Sequence, residues 1–496
     1  MNGAVNEVLD DSRSKAFVLW DEALTFLVNF PRQFLKELDF TEKVMEMGEA
    51  GKTKFLREEL NPYSLFQRDG VDVVVTLQGY WWRACLWAAQ NGVKFEFKDF
   101  RPPDLIPDPR LDLMFGFRFN QEALTRGALL KGYSGMIEAP TRFGKSTIIR
   151  NILRAYPGIP WVVFAPGKSL LRQTVKEMRE QMPERQIKLM GGGSCVRYQS
   201  TDITVCSMDS AHKLDPASIR GVLVDEPHAI ASRRRSSIMP SFPLARKIAV
   251  GATLDGRYDG RDKLLEGFFG PRLARVSYRE AVTMGAVCQI KVMMIRFKVD
   301  KISGDRQFAF RRYILQNPLL HKLIGACCQA IPDGDQTLVF IKQEKQGLAV
   351  QSVLGNHVPL VMDKVLTDKE RIALTAKVES NELSLVVCSD IFVQGVTFHE
   401  LRYLINACGG GPSTSALQRP GRLAEIRPDK RFGVMIDFQP YIDTRTGQRP
   451  KSMLGIEALI REAAQRLEVY RKIGYEVDIV EQDNVATWIK QHNTHL

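Results

Sequence analysis

Two long stretches of this chain alternate short apolar runs with amphipathic helical segments, and that alternation restricts the fold more than any other feature. In the first stretch the runs are GMIEA, WVVFA, ITVCS, GVLVD and KIAVGAT; in the second they are QTLVFI, VPLVMD, LSLVVCS, LRYLINA and FGVMIDF. Runs this short and this apolar suit strands covered on both faces. Helices between them imply crossover connections, and crossovers build parallel sheets. The pattern predicts two tandem α/β domains that meet somewhere between Arg275 and Arg296.

The flanks have a different texture. Residues 1–108 contain a strand RDGVDVVVTL, an apolar helix YWWRACLWAAQ, a strand VKFEFKDF and then the breaker RPPDLIPDP, which predicts a small α+β accessory domain. Tyr80, Trp81, Trp82 and Trp87 crowd its helix, and their spacing beside Leu86 and Ala88 reads as core; stacking on an exposed base is the other use of such a cluster. At the far end, Leu459, Ile460, Ala463, Leu467 and Tyr470 form a helical apolar face, and YEVDIVE reads as a closing strand. The expected organisation is an accessory, DNA-binding domain over 1–108, α/β domains over 109–285 and 286–440, and over 441–496 a helix and strand packed on the second of these.

Composition narrows the partners. The 496 residues are 44% hydrophobic, enough for several cores, and 69 Lys and Arg against 57 Asp and Glu give a net charge of +12. Such an excess fits a polyanionic partner or diffuse surface charge. The eight cysteines are scattered, with no CxxC pair and no histidine at ligand spacing, so reduced thiols in a cytoplasmic protein are expected. No run approaches the ~20 apolar residues of a membrane span, and MNGAVNEVLDDSRSK lacks the basic-then-apolar order of a secretion signal.

The chemistry begins at EAPTRFGKSTII, where a predicted strand feeds a turn and then a helix with Ile148, Ile149, Ile152 and Leu153 on one face. In a phosphate loop, consecutive backbone N–H groups and the positive end of the helix surround the phosphates. Pro140, Thr141, Arg142, Phe143 and Gly144 would form that cradle, Lys145 would neutralise the outer phosphates, and Ser146, followed by Thr147, would bind Mg²⁺. The first position of the pattern carries Ala139 in place of glycine.

A nucleoside triphosphatase also needs an acid at the end of another strand. GVLVDEPH supplies it: Asp225 would hold the metal and Glu226 would polarise the attacking water. An acidic pair opening a helix is the alternative for these two residues.

The order of these motifs resembles superfamily 2 helicases and translocases of the DExH type over residues 110 to 480, nearest to the UvsW-type phage DNA helicases, with RecG and XPB further off. The resemblance implies two RecA-like domains with ATP between them. FRFNQEAL is similar to the adenine-reading element, in which Gln121 bonds the base edge and Arg118 or Phe119 packs beside it. PGKSLLRQ resembles the motif that grips nucleic-acid phosphates, from Pro166, Gly167 and Lys168 to Gln173, and ITVCSMDS resembles the next phosphate-contacting turn, at Ser207. GATL resembles the coupling motif, with Gly251 in place of its serine.

In the second domain SDIFVQGVTF is similar to the element that touches both ligands, with Ser389 and Gln394 toward nucleic acid and Gly395 toward nucleotide. LQRPGRLAEI matches the arginine-finger motif: Gln418 near the γ-phosphate, and Arg422 with Arg419 reaching the nucleotide. The family carries another arginine where this chain has Glu425, and Arg427 is its candidate replacement.

What the resemblance implies is an ATP- and Mg²⁺-dependent DNA helicase or translocase acting on forked, branched or single-stranded DNA in branch migration, fork remodelling, replication, recombination and repair. It would be monomeric or weakly associating, working with replication or recombination proteins in the cytoplasm of a bacterium or a phage-infected host. An RNA-directed helicase is the second reading, since motor motifs grip phosphates without choosing the sugar. A nucleic-acid annealing or scaffold protein with a weakened motor is the third, motivated by Gly251 and Glu425. Arg233, Arg234 and Arg235 behind DEPH suit either a phosphate backbone or solvent.

Overall fold

The computed structural model describes residues 2–492 except 10–11, 13–14, 22–23, 48–52, 102–106, 132–133, 166–167, 192–201, 256–259, 301–303, 363–367, 390–397, 399, 413–418 and 443–453. Two compact units emerge: Met1–Pro140 with Gly144–Val276, and Thr141–Phe143 with Ser277–Leu496.

The first unit opens with a five-stranded mixed sheet in the order Tyr63–Arg68, Val71–Leu77, Leu24–Val28, Ala16–Trp20, Phe95–Asp99; the last pair is parallel and the others antiparallel. Alternation along Ala16–Trp20 divides its two faces, as a strand's period of two requires. Ala16 and Val18 join Ala84 and Ala88 of the helix Trp81–Gln90, while Phe17 and Leu19 join Val5 and Val8 of the helix Asn2–Val8. Tyr80 is fully buried, Trp87 packs on Phe30 and Phe34, and Trp81 stacks on Trp20, so these three are core as expected, while Trp82 is half-buried with the Arg83 guanidinium over its ring.

Behind it lies a seven-stranded sheet, parallel throughout, in the order Ile187–Met190, Ile203–Cys206, Trp161–Phe164, Gly221–Asp225, Arg246–Gly251, Gly135–Glu138, Arg272–Arg275. All five runs expected for this domain are present, with two edge strands added. The two parts of the unit join through glycines. A Cβ on Gly79 would lie 2.1 Å from the Glu266 carbonyl oxygen, and one on Gly267 would lie 2.7 Å from the Tyr80 ring, so neither position tolerates a side chain. The Tyr80 hydroxyl donates to the Lys263 carbonyl at 2.9 Å, and Arg83 pairs with Glu266 at 2.6 Å.

The second unit has its own seven-stranded parallel sheet, ordered Leu360–Val361, Leu385–Cys388, Gln336–Phe340, Leu401–Asn406, Phe432–Tyr441, Gln289–Lys298, Glu476–Glu481. Gln289–Lys298, which begins inside the stretch read as an interdomain boundary and runs past its end, is one of its longest strands and pairs with Phe432–Tyr441 over ten positions. The closing strand Glu476–Glu481 adds to its other side, and the helix Leu454–Ile473 buries Leu459, Ala463, Leu467 and Tyr470. The apolar face also hides a charge. Arg466 is 2% exposed and grips the fully buried Asp437 with one edge of its guanidinium, Nε and Nη2 donating at 2.9 and 3.0 Å, while Tyr470 donates to the same carboxylate at 2.9 Å.

The two large parallel sheets, with helices and an N-terminal mixed sheet, are tandem RecA-like domains. Among the described residues the cysteines are free thiols, and no helix is long and apolar enough to cross a membrane.

Candidate functional site

In an open parallel sheet, ligands bind outside the C-terminal ends of the strands. Here Asp225, Gly251 and Glu138 end three neighbouring strands in register: Asp225 lies opposite Val250, and Gly251 opposite Glu138. The loop from Glu138 turns through Arg142 (φ 70°) and Gly144 (φ 93°), both left-handed, and a helix begins at Lys145 and runs to Ala155. Thr147 and Ile148 already donate to the Gly144 carbonyl, leaving the earlier N–H groups of the first turn for a ligand.

The charged residues converge at this end of the sheet. Lys145 Nζ lies 3.1 Å from Glu226, whose own backbone is left-handed (φ 52°), and His228 Nδ1 stands 3.5 Å from the same carboxylate. Asp225 and Ser146 line one small cavity. Burial, and next the charge of Glu226, push the Asp225 carboxyl up against the pull of Lys145. Its Oδ1 is buried without a hydrogen-bond partner among the described residues.

An orphaned carboxylate oxygen beside a cavity that a serine also lines suits a hard divalent cation, and Mg²⁺ is held by one or two carboxylates with substrate phosphates completing its shell. No cluster of three or more His, Cys, Asp or Glu among the described residues offers a metal site built from protein ligands alone.

Gln121 belongs to this site by geometry. It is 2% exposed at the start of the helix Gln121–Lys131, its Oε1 accepts from the Arg118 backbone N–H at 2.9 Å, and a Cβ on Gly144 would lie 2.3 Å from its Nε2. Phe119, left-handed at φ 51° and 53% exposed, stands two residues before it. The glycine at 251 has a local cause that sequence did not reveal. A Cβ there would meet Pro227 Cδ at 2.9 Å, so a serine at this position requires the proline of DEPH to shift.

The residues expected to touch nucleic acid are only partly within the described set. Pro166, Gly167, Gln394, Gly395 and Gln418 lie outside it, and Lys168 is placed as the first residue of a helix. Gln173 donates to Glu177 at 2.8 Å, and Ser207 donates to Ser210 at 2.9 Å. Ser389 is 9% exposed and its Oγ has no hydrogen-bond partner among the described residues. Behind DEPH, Arg233 pairs with Glu58 at 2.8 Å and Arg235 with Asp209 at 3.0 Å.

In the second unit Arg422 sits partly buried on the short helix Pro420–Ala424. Arg419 is 8% exposed and donates to the Asn406 side chain at 2.7 Å. Arg427 pairs with Glu400 at 2.6 Å and lies 3.5 Å from Asp429.

A parallel-sheet domain whose phosphate loop and Asp-Glu pair follow the strands on either side of Arg246–Gly251, followed by a second parallel-sheet domain, is the tandem RecA-like arrangement. The family model for the type III restriction enzyme res subunit (ResIII) matches residues 118–256. Among solved structures, a fragment described as the HsdR subunit of a type I restriction enzyme from Vibrio vulnificus aligns with 91% of this chain and 96% of its own, at 15% identity and TM-score 0.53. The restriction-modification enzyme LlaBIII bound to DNA aligns with 80% of this chain, which spans 34% of that protein, at 14% identity and TM-score 0.54. T4 UvsW covers 94% of this chain and 99% of its own at 15% identity, with a TM-score of 0.38. No curated protein matches the sequence significantly. The chain is thus similar to the restriction-enzyme res subunit over residues 118–256, and it shares its overall fold with the HsdR fragment.

Proposed function

We propose that the protein is an ATP-dependent DNA helicase or translocase, with forked or branched DNA as its substrate. The observation that carries this is the convergence of Lys145, Ser146, Asp225 and Glu226 at the C-terminal end of one parallel sheet, with a buried carboxylate oxygen awaiting a cation. When nucleotide binds, Lys145 leaves Glu226 for the β- and γ-phosphates, and Glu226 is released to orient water. Ser146 and Asp225 would hold Mg²⁺, whose chemistry is to neutralise charge on the phosphates. Gln121, tucked against the loop, reads the adenine edge. Arg422 is the residue to which the motif resemblance assigns stabilisation of the charge that develops in phosphoryl transfer.

The fate of the positive charge supports contact with a polyanion through the two α/β domains. The first 108 residues hold 18 acidic and 13 basic residues, so the whole basic excess lies beyond them. The accessory domain is therefore assigned a positioning role in place of a phosphate-binding one. DNA is preferred to RNA because LlaBIII, with one of the larger shared folds, is a protein bound to DNA. The deciding experiment compares ATPase stimulation by single strands, duplexes, forks and four-way junctions of DNA with the same set in RNA. Strongest stimulation by forked or four-way DNA supports the proposal; equal or greater stimulation by RNA replaces the substrate, and none at all removes the motor.

A further inference from the structure

The short helix Pro420–Ala424 that carries Arg422 lies against the strand Leu401–Asn406 and is strapped to it by two buried cations. At its start, Arg419 donates to Asn406 at the end of that strand, 2.7 Å away, and its guanidinium lies 5.4 Å from the centre of the Phe340 ring. At its end stands Lys430, 5% exposed. Its Nζ donates to the Leu423 carbonyl at 2.7 Å, to the Leu401 carbonyl at 2.7 Å and to the Glu425 carbonyl at 3.4 Å. The three donors of one ammonium thus meet three main-chain carbonyls, two from the exit of the arginine-bearing turn and one from the first residue of the strand.

Burying an ammonium is expensive, and an apolar side chain of similar length would fill the same space without that cost. What the charge supplies is satisfaction of carbonyls that a helix end leaves without partners, together with a fixed distance between turn and strand. A guanidinium stabilises charge developing in a transition state only when it is held in place beforehand. We propose that Lys430 is a positioning residue for Arg422: by tying Leu423 and Glu425 to Leu401 it holds the arginine-bearing turn in one place. The inference rests on Arg422 acting in ATP hydrolysis.

The test is a double-mutant cycle on nucleic-acid-stimulated ATPase, using Lys430→Met, Arg422→Ala and the two together, with thermal melting of each variant in parallel. Lys430→Met is expected to lower kcat by about tenfold with KM for ATP nearly unchanged, and to lower it no further when Arg422 is already alanine. A merely structural lysine would lower both backgrounds equally. Either that additive result or a kcat within about twofold of wild type in Lys430→Met overturns the assignment. Should Lys430→Met melt below the assay temperature, Lys430→Gln, which keeps two donors, replaces it in the same cycle with the same two outcomes. A wild-type chain without ATPase activity removes the function and the brace together; an active wild type with an indifferent Lys430 variant removes the brace alone.

Discussion

The side-chain amide of Gln121 is packed against Gly144 so closely that a methyl group on the glycine would lie 2.3 Å from its Nε2. Gly144 is also left-handed at φ 93°, where an L side chain is strained in any surroundings. Gly144→Ala should therefore displace Gln121 and distort the phosphate loop while leaving the sheet intact. ATP affinity is expected to fall by at least about tenfold, measured by titration with a fluorescent nucleotide, with little change in circular dichroism.

Gly251 and Pro227 form a second constrained pair. Restoring the family's serine alone, as Gly251→Ser, pushes a Cβ to 2.9 Å from a proline ring that cannot rotate away. A loss of about 1–3 kcal/mol in urea unfolding is expected. Pro227→Ala should relieve it, so the double variant should be more stable than Gly251→Ser by more than Pro227→Ala changes the wild type. Strict additivity would show that the two residues do not compete for the same space.

Lys247 offers a pH test of the join between the N-terminal sheet and the first parallel sheet. Its Nζ donates to Gln78 at 2.6 Å and it is 2% exposed; burial lowers its pKa from 10.5 to about 7. Between those two values the unfolded chain carries a proton at this position that the folded chain does not. The cost of charging Lys247 is thus full below pH 7 and is lifted as pH rises toward 10.5. Relative to Lys247→Met, the wild type should gain roughly 3–5 kcal/mol across that window, whatever constant offset the lost hydrogen bond adds. A difference between the two proteins that does not change with pH would refute it.

The Asp437–Arg466–Tyr470 cluster predicts the largest loss of stability. Arg466→Met leaves a fully buried carboxylate without its guanidinium, at a cost of roughly 3–5 kcal/mol in chemical denaturation. Asp437→Asn should cost less, because the amide keeps the size of the group and carries no charge. The opposite ranking would mean that Arg466, not Asp437, is the more costly charge to leave alone.

Much of this was legible in the sequence because the local signals agreed. Each strand expected around the phosphate loop formed, and Lys145, Asp225 and Glu226 were brought together by the alternation that predicted them. Where signals were mixed, sequence failed for identifiable reasons. The strand Gln289–Lys298 is rich in Met and charged residues, neither of which announces a strand. Arg466 looked like one more polar residue on a helix, since nothing local shows that Asp437 waits in the neighbouring strand. Lys430 gave no signal at all, because its partners are backbone carbonyls. The meaning of Gly251 lay in Pro227, far along the chain, and only the fold sets them side by side. Arg427, the candidate replacement for the arginine that Glu425 displaces, pairs with Glu400 at 2.6 Å, a partner no local signal announces.

The most direct test is the turnover of ATP by the purified chain with forked DNA, in wild type and in Lys145→Ala. Turnover that rises on adding the fork and falls by at least about a hundredfold in Lys145→Ala, with the variant's melting temperature unchanged, is the predicted result. Equal turnover in the two proteins, or turnover indifferent to nucleic acid, would contradict it.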